Sequence, residues 1–162
     1  MPLPLFVGEI VDSDIDAVVD LWRRCGLLRP WNDPHEDIRI CRTSGHGVVL
    51  VARAAADGPI VGACMSGHDG HRGALYYLAA DPERRRQGIG RGLVAAAEAW
   101  CRARGVPKLN LLVRKENTAV LAFYEGLGYR DTDSACLWHH LDAETGEREA
   151  AMKAAWAKGE RR

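Results

Sequence analysis

The chain has 162 residues, with 22 basic and 22 acidic side chains and five cysteines. This length fits one domain whose core needs neither disulfides nor metal. Balanced charge argues against a general nucleic-acid binder, and no run approaches the roughly 20 apolar residues of a membrane span. The cysteines are odd in number and widely spaced, which predicts free thiols in a reducing, cytoplasmic compartment.

Hydrophobic periodicity divides the chain into alternating strands and helices. Runs rich in β-branched residues predict strands, and apolar residues at helical spacing behind a capping residue predict helices. In chain order the predicted elements are a strand over 5–11, a helix over 12–26, a helix from 33, a hairpin over 47–54 and 59–66, a strand over 75–80, a helix over 89–104, a strand over 108–113, a helix over 118–127, a strand over 134–141 and a helix within 142–162.

The stretch from Leu75 to Arg91, LYYLAADPERRRQGIGR, joins a strand, a basic glycine-spaced turn and the start of a helix. Gly88 and Gly90 lack side chains, so backbone N–H groups can come close to a ligand. The helix that follows points unpaired donors and the positive end of its dipole at the same place. The stretch therefore predicts a phosphate-binding loop, and its spacing is neither GxGxxG nor GxxxxGK.

Two segments resemble one known family. The R-x-x-G-x-G spacing over Arg85–Gly90 resembles the CoA pyrophosphate loop of the GNAT N-acetyltransferases. The segment Asn117–Tyr129 is similar to the family's N-x-x-A-x-x-F-Y-x-x-x-G-Y signature, and LLRPWNDP over 27–34 looks like a bacterial subgroup. The resemblance implies an α/β GNAT acyl-CoA N-acyltransferase fold, with a mixed, mostly antiparallel central sheet, splayed strands 4 and 5 and helices on both faces. It implies a GNAT domain over residues 1–141 and a C-terminal helical extension over 142–162.

The resemblance also implies a reaction and residues for it. Acetyl-CoA would donate its acetyl group to a primary amine of a small molecule or peptide by direct attack in a ternary complex, leaving CoA. Tyr124 matches the family's acid, which protonates the departing thiolate. Reference pKa values of ~10 for phenol and ~8.5 for thiol make that transfer only about 2 kcal/mol uphill. The implied donor-binding positions are Leu78, Ala79, Ala80, Arg85, Arg86, Gln87, Gly88, Ile89, Gly90, Arg91 and Asn117.

The acceptor side and the general base are left open. Candidate substrate-contacting residues are Trp31, Asn32, Asp33, Asp69, His71 and Tyr76. Ala74 and Leu112 stand where relatives often carry a glutamate base. The candidate bases are therefore Asp69, His68, His71, Tyr76, Tyr77, Asp33, Glu36 or a water relay. Trp31 is either a wall of the acceptor pocket or a staple that closes the Leu27-Leu28 loop onto the core.

Two other classes of function compete with this interpretation. One is a non-catalytic acyl-CoA-binding module, which the two missing glutamates favour and Tyr124 opposes. The other is nucleic-acid binding through Arg84–Arg86, which the balanced net charge opposes. We expect no nucleic-acid or membrane partner. We also expect no metal, since the histidines of the glycine turn are typical of solvated polar groups. Met152 and Trp156 on one face of the last helix predict a homodimer contact.

Overall fold

The computed structural model describes residues 4–159. Its strands are β1 (Phe6–Glu9), β2 (Gly47–Arg53), β3 (Ile60–His68), β4 (Gly73–Ala80) and β5 (Leu109–Leu111). Its α-helices are α1 (Ile15–Arg24), α2 (Pro34–Thr43), α3 (Ile89–Arg102), α4 (Thr118–Glu125) and α5 (Ala143–Gly159). The strands form a sheet in the order β1-β2-β3-β4-β5. Neighbours from β1 to β4 are antiparallel, whereas β4 and β5 are parallel, which confirms the predicted mixed sheet.

The chain divides into two compact units. The first holds the residues up to Leu28 together with Pro34–Arg114, and it contains the whole sheet and α1 to α3. The second holds Arg29–Asp33 and the residues from Lys115 onward, and it contains α4 and α5. Within residues 4–159 no helix is both long and apolar enough to cross a membrane.

Helices cover both faces of the sheet in the first unit. On one face, Trp22 of α1 and Ile38 of α2 pack with inward-facing strand residues such as Val49 and Val51. On the other face lies α3, whose apolar side includes the buried residue Leu93. Alternation of side chains along each strand supplies both cores, because successive residues of a strand point to opposite faces.

Strand β4 contains a β-bulge opposite Cys64. Met65 pairs with Tyr76 and Ala63 pairs with Ala79, so two β4 residues oppose one β3 residue between these pairs. Tyr77, at the bulge, has a φ of 52°, which is rare for a bulky residue. Its ring stacks on Trp22 with centroids 4.3 Å apart. The bulge thus places the side chains of two successive tyrosines on the face that α1 and α2 cover.

Pairing between β4 and β5 is short. Gly73–Leu75 pairs with Leu109–Leu111, and β4 continues for five more residues to Ala80. Over those residues β4 has no strand partner on its outer edge in the described part of the chain. This is the separation predicted for strands four and five.

The prediction of a strand over 134–141 is wrong. That segment has irregular backbone, and Leu137, Trp138 and Leu141 are 91%, 74% and 98% exposed. The local sequence is compatible with a strand, but a strand forms only where another edge supplies hydrogen-bond partners. The other predicted elements occur, with boundaries that differ by a few residues.

In the second unit, the C-terminal helix packs against the loop 29–33. The ring of Trp156 meets that of Trp31 edge-on, with centroids 6.2 Å apart. Lys153 lies 5.4 Å from the Trp31 ring centroid and forms an ion pair with Glu149, one helical turn earlier. Part of the apolar side of α5 is therefore covered within its own unit.

We expect Gly62→Ala to lower the free energy of unfolding by about 1–3 kcal/mol, since overpacking a filled core has this cost. A Cβ at Gly62 would lie 2.9 Å from Leu93 Cδ1, closer still to Ile89 Cγ2, and 3.1 Å from the Ala79 carbonyl oxygen. Urea unfolding measures the change. Gly8→Ala is the control, because a Cβ there meets no atom within 4 Å. Equal stability of the two variants would contradict this packing of α3.

Candidate active site

A basic turn between β4 and α3 is anchored to the end of α1. Asp81 Oδ1 accepts the Glu83 N–H at 3.1 Å and an N–H from Arg24 at 3.1 Å. Burial works to raise the pKa of Asp81, but the hydrogen bonds from Glu83 and Arg24 outweigh it and hold that pKa below its ordinary value. The start of the turn is thereby fixed next to the end of β4.

The turn exposes backbone donors at the start of α3. Arg86 and Gly88 both have left-handed backbone, with φ of 63° and 82°. The Gly92 N–H bonds to the Gly88 carbonyl, so the N–H groups of Ile89–Arg91 precede the first intrahelical bond. A Cβ at Gly88 would meet no atom within 4 Å, so the backbone there is open to a ligand. This geometry suits an anion.

The arginines of the turn are exposed. In the described part of the chain, no ion pair engages Arg85, Arg86 or Arg91. Their guanidinium groups are available to a multiply charged anion at the same helix terminus.

The end of β4 presents backbone rather than side chains. Ala79 is buried in the core shared with α1, and the Ala80 carbonyl accepts a hydrogen bond from Cys25 Sγ at 3.3 Å. Leu78 precedes them and is half-buried. A ligand on the open outer edge of β4 would therefore contact peptide groups.

A cavity of about 580 Å³ lies in the first unit, lined by α2, the β3–β4 loop, β4 and β5. Ala74 and Leu112, the positions to which the family resemblance assigns a glutamate base, both line it. Of the predicted substrate residues of this unit, Asp69 and Tyr76 line the cavity, whereas His71 is not among its lining residues.

Polar side chains of the β3–β4 loop form hydrogen bonds to the backbone of the same loop. Asp69 Oδ1 accepts the backbone N–H groups of Arg72 and His71, both at 2.7 Å, and these bonds lower the pKa of Asp69. His68 Nδ1 accepts the Gly70 N–H at 3.1 Å. In the neutral ring, the proton of His68 must then be on Nε2. Asp69 is therefore poorly prepared to accept a proton from a substrate.

The remaining predicted residues, Trp31, Asn32, Asp33, Asn117 and Tyr124, belong to the second unit. Asn117 Oδ1 caps α4 by accepting the Val120 N–H at 3.4 Å. Tyr124 is buried, with its ring centroid 5.0 Å from that of Phe123 and 5.5 Å from that of Tyr129. The ring of Trp31 packs against α5.

The sequence interpretation missed Asp37. Its Oδ2 accepts a hydrogen bond from the Tyr77 hydroxyl at 2.7 Å, and its side chain lines the cavity. The helical spacing of Asp37, Ile40, Cys41 and Ser44 was a usable signal, because residues three and four apart share one face.

Comparisons with known proteins define the class. The Acetyltransferase (GNAT) family model matches residues 15–129. An acetyltransferase of Pectobacterium atrosepticum is 46% identical over 129 residues, covering 80% of this chain and 90% of that protein. An acetyltransferase of Sodalis glossinidius is 48% identical over 125 residues, covering 77% of this chain and 87% of that one.

Among solved structures, AAC(6')-Iy in complex with the bisubstrate analogue CoA-S-monomethyl-acetylneamine aligns with a TM-score of 0.71. The alignment covers 86% of this chain and 99% of that one at 18% identity, so the likeness concerns the fold. The chain belongs to the GNAT acetyltransferase family, and it is an acetyltransferase.

The cysteines give a test of the burial that surrounds the cavity. Burial raises the pKa of Cys41 to about 11 and that of Cys64 to about 12, whereas Cys136 is exposed. At pH 8 we expect iodoacetamide to label Cys136 first, and Cys41 and Cys64 at least ~100-fold more slowly, because the thiolate is the reactive form. Peptide mass spectrometry measures the order, with urea-unfolded protein as the control. Labelling of Cys64 at the rate of Cys136 would contradict the burial of Cys64 in the core.

Proposed function

We propose that this acetyltransferase moves an acetyl group from acetyl-CoA to a primary amine, of a small molecule or a peptide, by direct attack in a ternary complex, with CoA as the product. The observation that carries the proposal is the turn from Arg85 to Arg91, which opens backbone donors at the start of α3 beside the open edge of β4. Family membership supports the same donor.

The donor would be held mainly by backbone. The N–H groups of Arg86–Arg91 suit a pyrophosphate, and the exposed guanidinium groups of Arg85 and Arg91 add charge. The unpaired edge of β4 up to Ala80 suits a pantetheine arm that pairs with it like a missing strand. Asn117 is assigned to the donor by its match to the family signature.

Acetyl-CoA supplies a thioester carbonyl that a neutral amine attacks. A backbone N–H of the stretch Leu78–Ala80 would stabilise the negative charge that develops on the carbonyl oxygen. Tyr124 would give its proton to the departing sulfur, as the reference pKa values of phenol and thiol allow. The two positions where relatives often carry glutamate are apolar here, which favours water as the carrier of the amine proton.

Three further proposals concern organisation. The catalytic domain would span residues 1–141, with 142–162 as an extension. The protein would act in the cytoplasm. It would pair as a homodimer through α5, where Met152 and Trp156 each stay 36% exposed.

Gly88→Glu is expected to weaken binding of acetyl-CoA and of CoA at least ~100-fold, because it places a carboxylate at the anion site. Isothermal calorimetry measures both affinities. Gly105→Glu is a matched control, since its φ of 76° and its open surroundings resemble those of Gly88. Undiminished binding by the Gly88 variant would refute the donor site.

Tyr124→Phe should lower kcat for thiol release by about 10²–10³ and leave acetyl-CoA affinity unchanged, since only the proton donor is removed. Steady-state assays over a panel of amines would measure it. Tyr129→Phe changes a neighbouring ring of the same cluster and should retain activity. Turnover by the Tyr124 variant equal to that of wild type would remove the assigned acid.

A further inference from the structure

We propose that Asp37 binds the ammonium group of the acceptor in the cavity of the first unit, and that Tyr77 positions the Asp37 carboxylate for this task. The inference deepens the proposed transfer function and rests on it. It assigns as acceptor class a cationic amine with an apolar body, as opposed to an amine that carries phosphate or carboxylate.

Helix α2 turns one face to the cavity. Asp37, Ile40, Cys41 and Ser44 follow helical spacing and all line the cavity, whereas the intervening residue Ile38 is buried in the core. Asp37 is thus the carboxylate that α2 contributes to the cavity wall.

Tyr77 holds this carboxylate in one orientation. Its hydroxyl donates to Asp37 Oδ2 at 2.7 Å, and its ring is fixed by stacking on the buried Trp22. The left-handed backbone of Tyr77 at the bulge brings its side chain to the α2 face. Such backbone strain persists only where the surrounding structure supports it, and it is frequent at functional sites. In residues 4–159, no other hydrogen bond or ion pair of Asp37 is found.

The other charged side chains of the cavity wall, Asp69 and Arg72, already form hydrogen bonds within the β3–β4 loop. Asp69 Oδ1 accepts two backbone N–H groups, and the Arg72 guanidinium donates to the His71 carbonyl at 3.0 Å. Asp37 therefore presents the carboxylate best placed to pair with a ligand cation.

The remaining lining residues favour an acceptor amine whose body is apolar. Ile40, Met65, Ala74, Leu111 and Leu112 line the cavity. Apolar lining around a few fixed polar groups is typical of small-molecule sites. The cavity wall holds two carboxylates, Asp37 and Asp69, and one guanidinium, Arg72, so it favours a cation over an acceptor that carries phosphate or carboxylate.

Asp37 binds the ammonium form of the acceptor before the reaction. Only the neutral amine can attack the thioester, so the ammonium gives its proton to a base in solution, such as hydroxide or buffer, before the C–N bond forms. Asp37 is accordingly a binding group and Tyr77 a positioning residue.

The test uses three probes: 2-phenylethylamine, its uncharged analogue 2-phenylethanol, and glucosamine 6-phosphate. Calorimetry gives the affinity of each for wild type, Asp37→Asn, Tyr77→Phe and the control Asp57→Asn, which lies in the exposed β2–β3 turn. Acetyl-CoA affinity is measured separately on every variant, so that failure of donor binding is distinguished from failure of the ammonium site.

We expect wild type to bind 2-phenylethylamine more tightly than both other probes. Asp37→Asn should lose at least ~10-fold in affinity for the amine and none for the alcohol, because only the charge is removed. In a steady-state thiol-release assay with acetyl-CoA, Tyr77→Phe should raise KM for the amine several-fold with little change in kcat. A loss of folding would not produce this difference between KM and kcat. Asp57→Asn and all acetyl-CoA affinities should stay at wild-type values.

Three results would overturn the inference: equal amine affinity in Asp37→Asn and wild type, tighter binding of glucosamine 6-phosphate than of 2-phenylethylamine, or no binding of any probe. Charge-selective amine binding together with absent acetyl-CoA binding would support the ammonium site and contradict the proposed function.

Discussion

The short pairing between β4 and β5 is the constraint on which both proposed binding surfaces of the first unit depend. Parallel pairing joins Gly73–Leu75 to Leu109–Leu111 and then stops. Beyond it, β4 keeps its other neighbour, β3, but its outer edge is open up to Ala80. The bulge at Tyr77 lies in this open half and turns two successive tyrosines toward α2. One strand thus offers backbone at its edge and side chains to the cavity.

Close packing of α3 sets where the basic turn before it lies. The absence of a side chain at Gly62 lets Ile89 and Leu93 approach the sheet, and Gly73 similarly admits the Cys101 sulfur. At the preceding end of the turn, Arg24 of α1 holds Asp81. The turn is therefore held at both ends by helices on opposite faces of the sheet.

The sequence predicted those features that depend on neighbouring residues or on a short motif. Capping residues and periodicity located the helices, and the glycine spacing after Leu78 located the turn that exposes backbone N–H groups before α3. Long-range geometry was missed. The segment 134–141 resembled a strand, but no pattern states whether an edge will pair with it. The Asp37 to Tyr77 bond joins residues 40 positions apart and depends on a bulge, whereas alternation alone would place Tyr76 and Tyr77 on opposite faces.

The central claim is that the open edge of β4 and the start of α3 form one donor site. Titration of ¹⁵N-labelled protein with CoA, followed by amide chemical shifts, tests it most directly, because each backbone N–H reports its own environment. The account predicts the largest shifts at Arg86–Arg91 and along β4 from Tyr76 to Ala80, with small shifts across β1 and β2. Shifts confined to other segments, or none at saturating CoA, would contradict it.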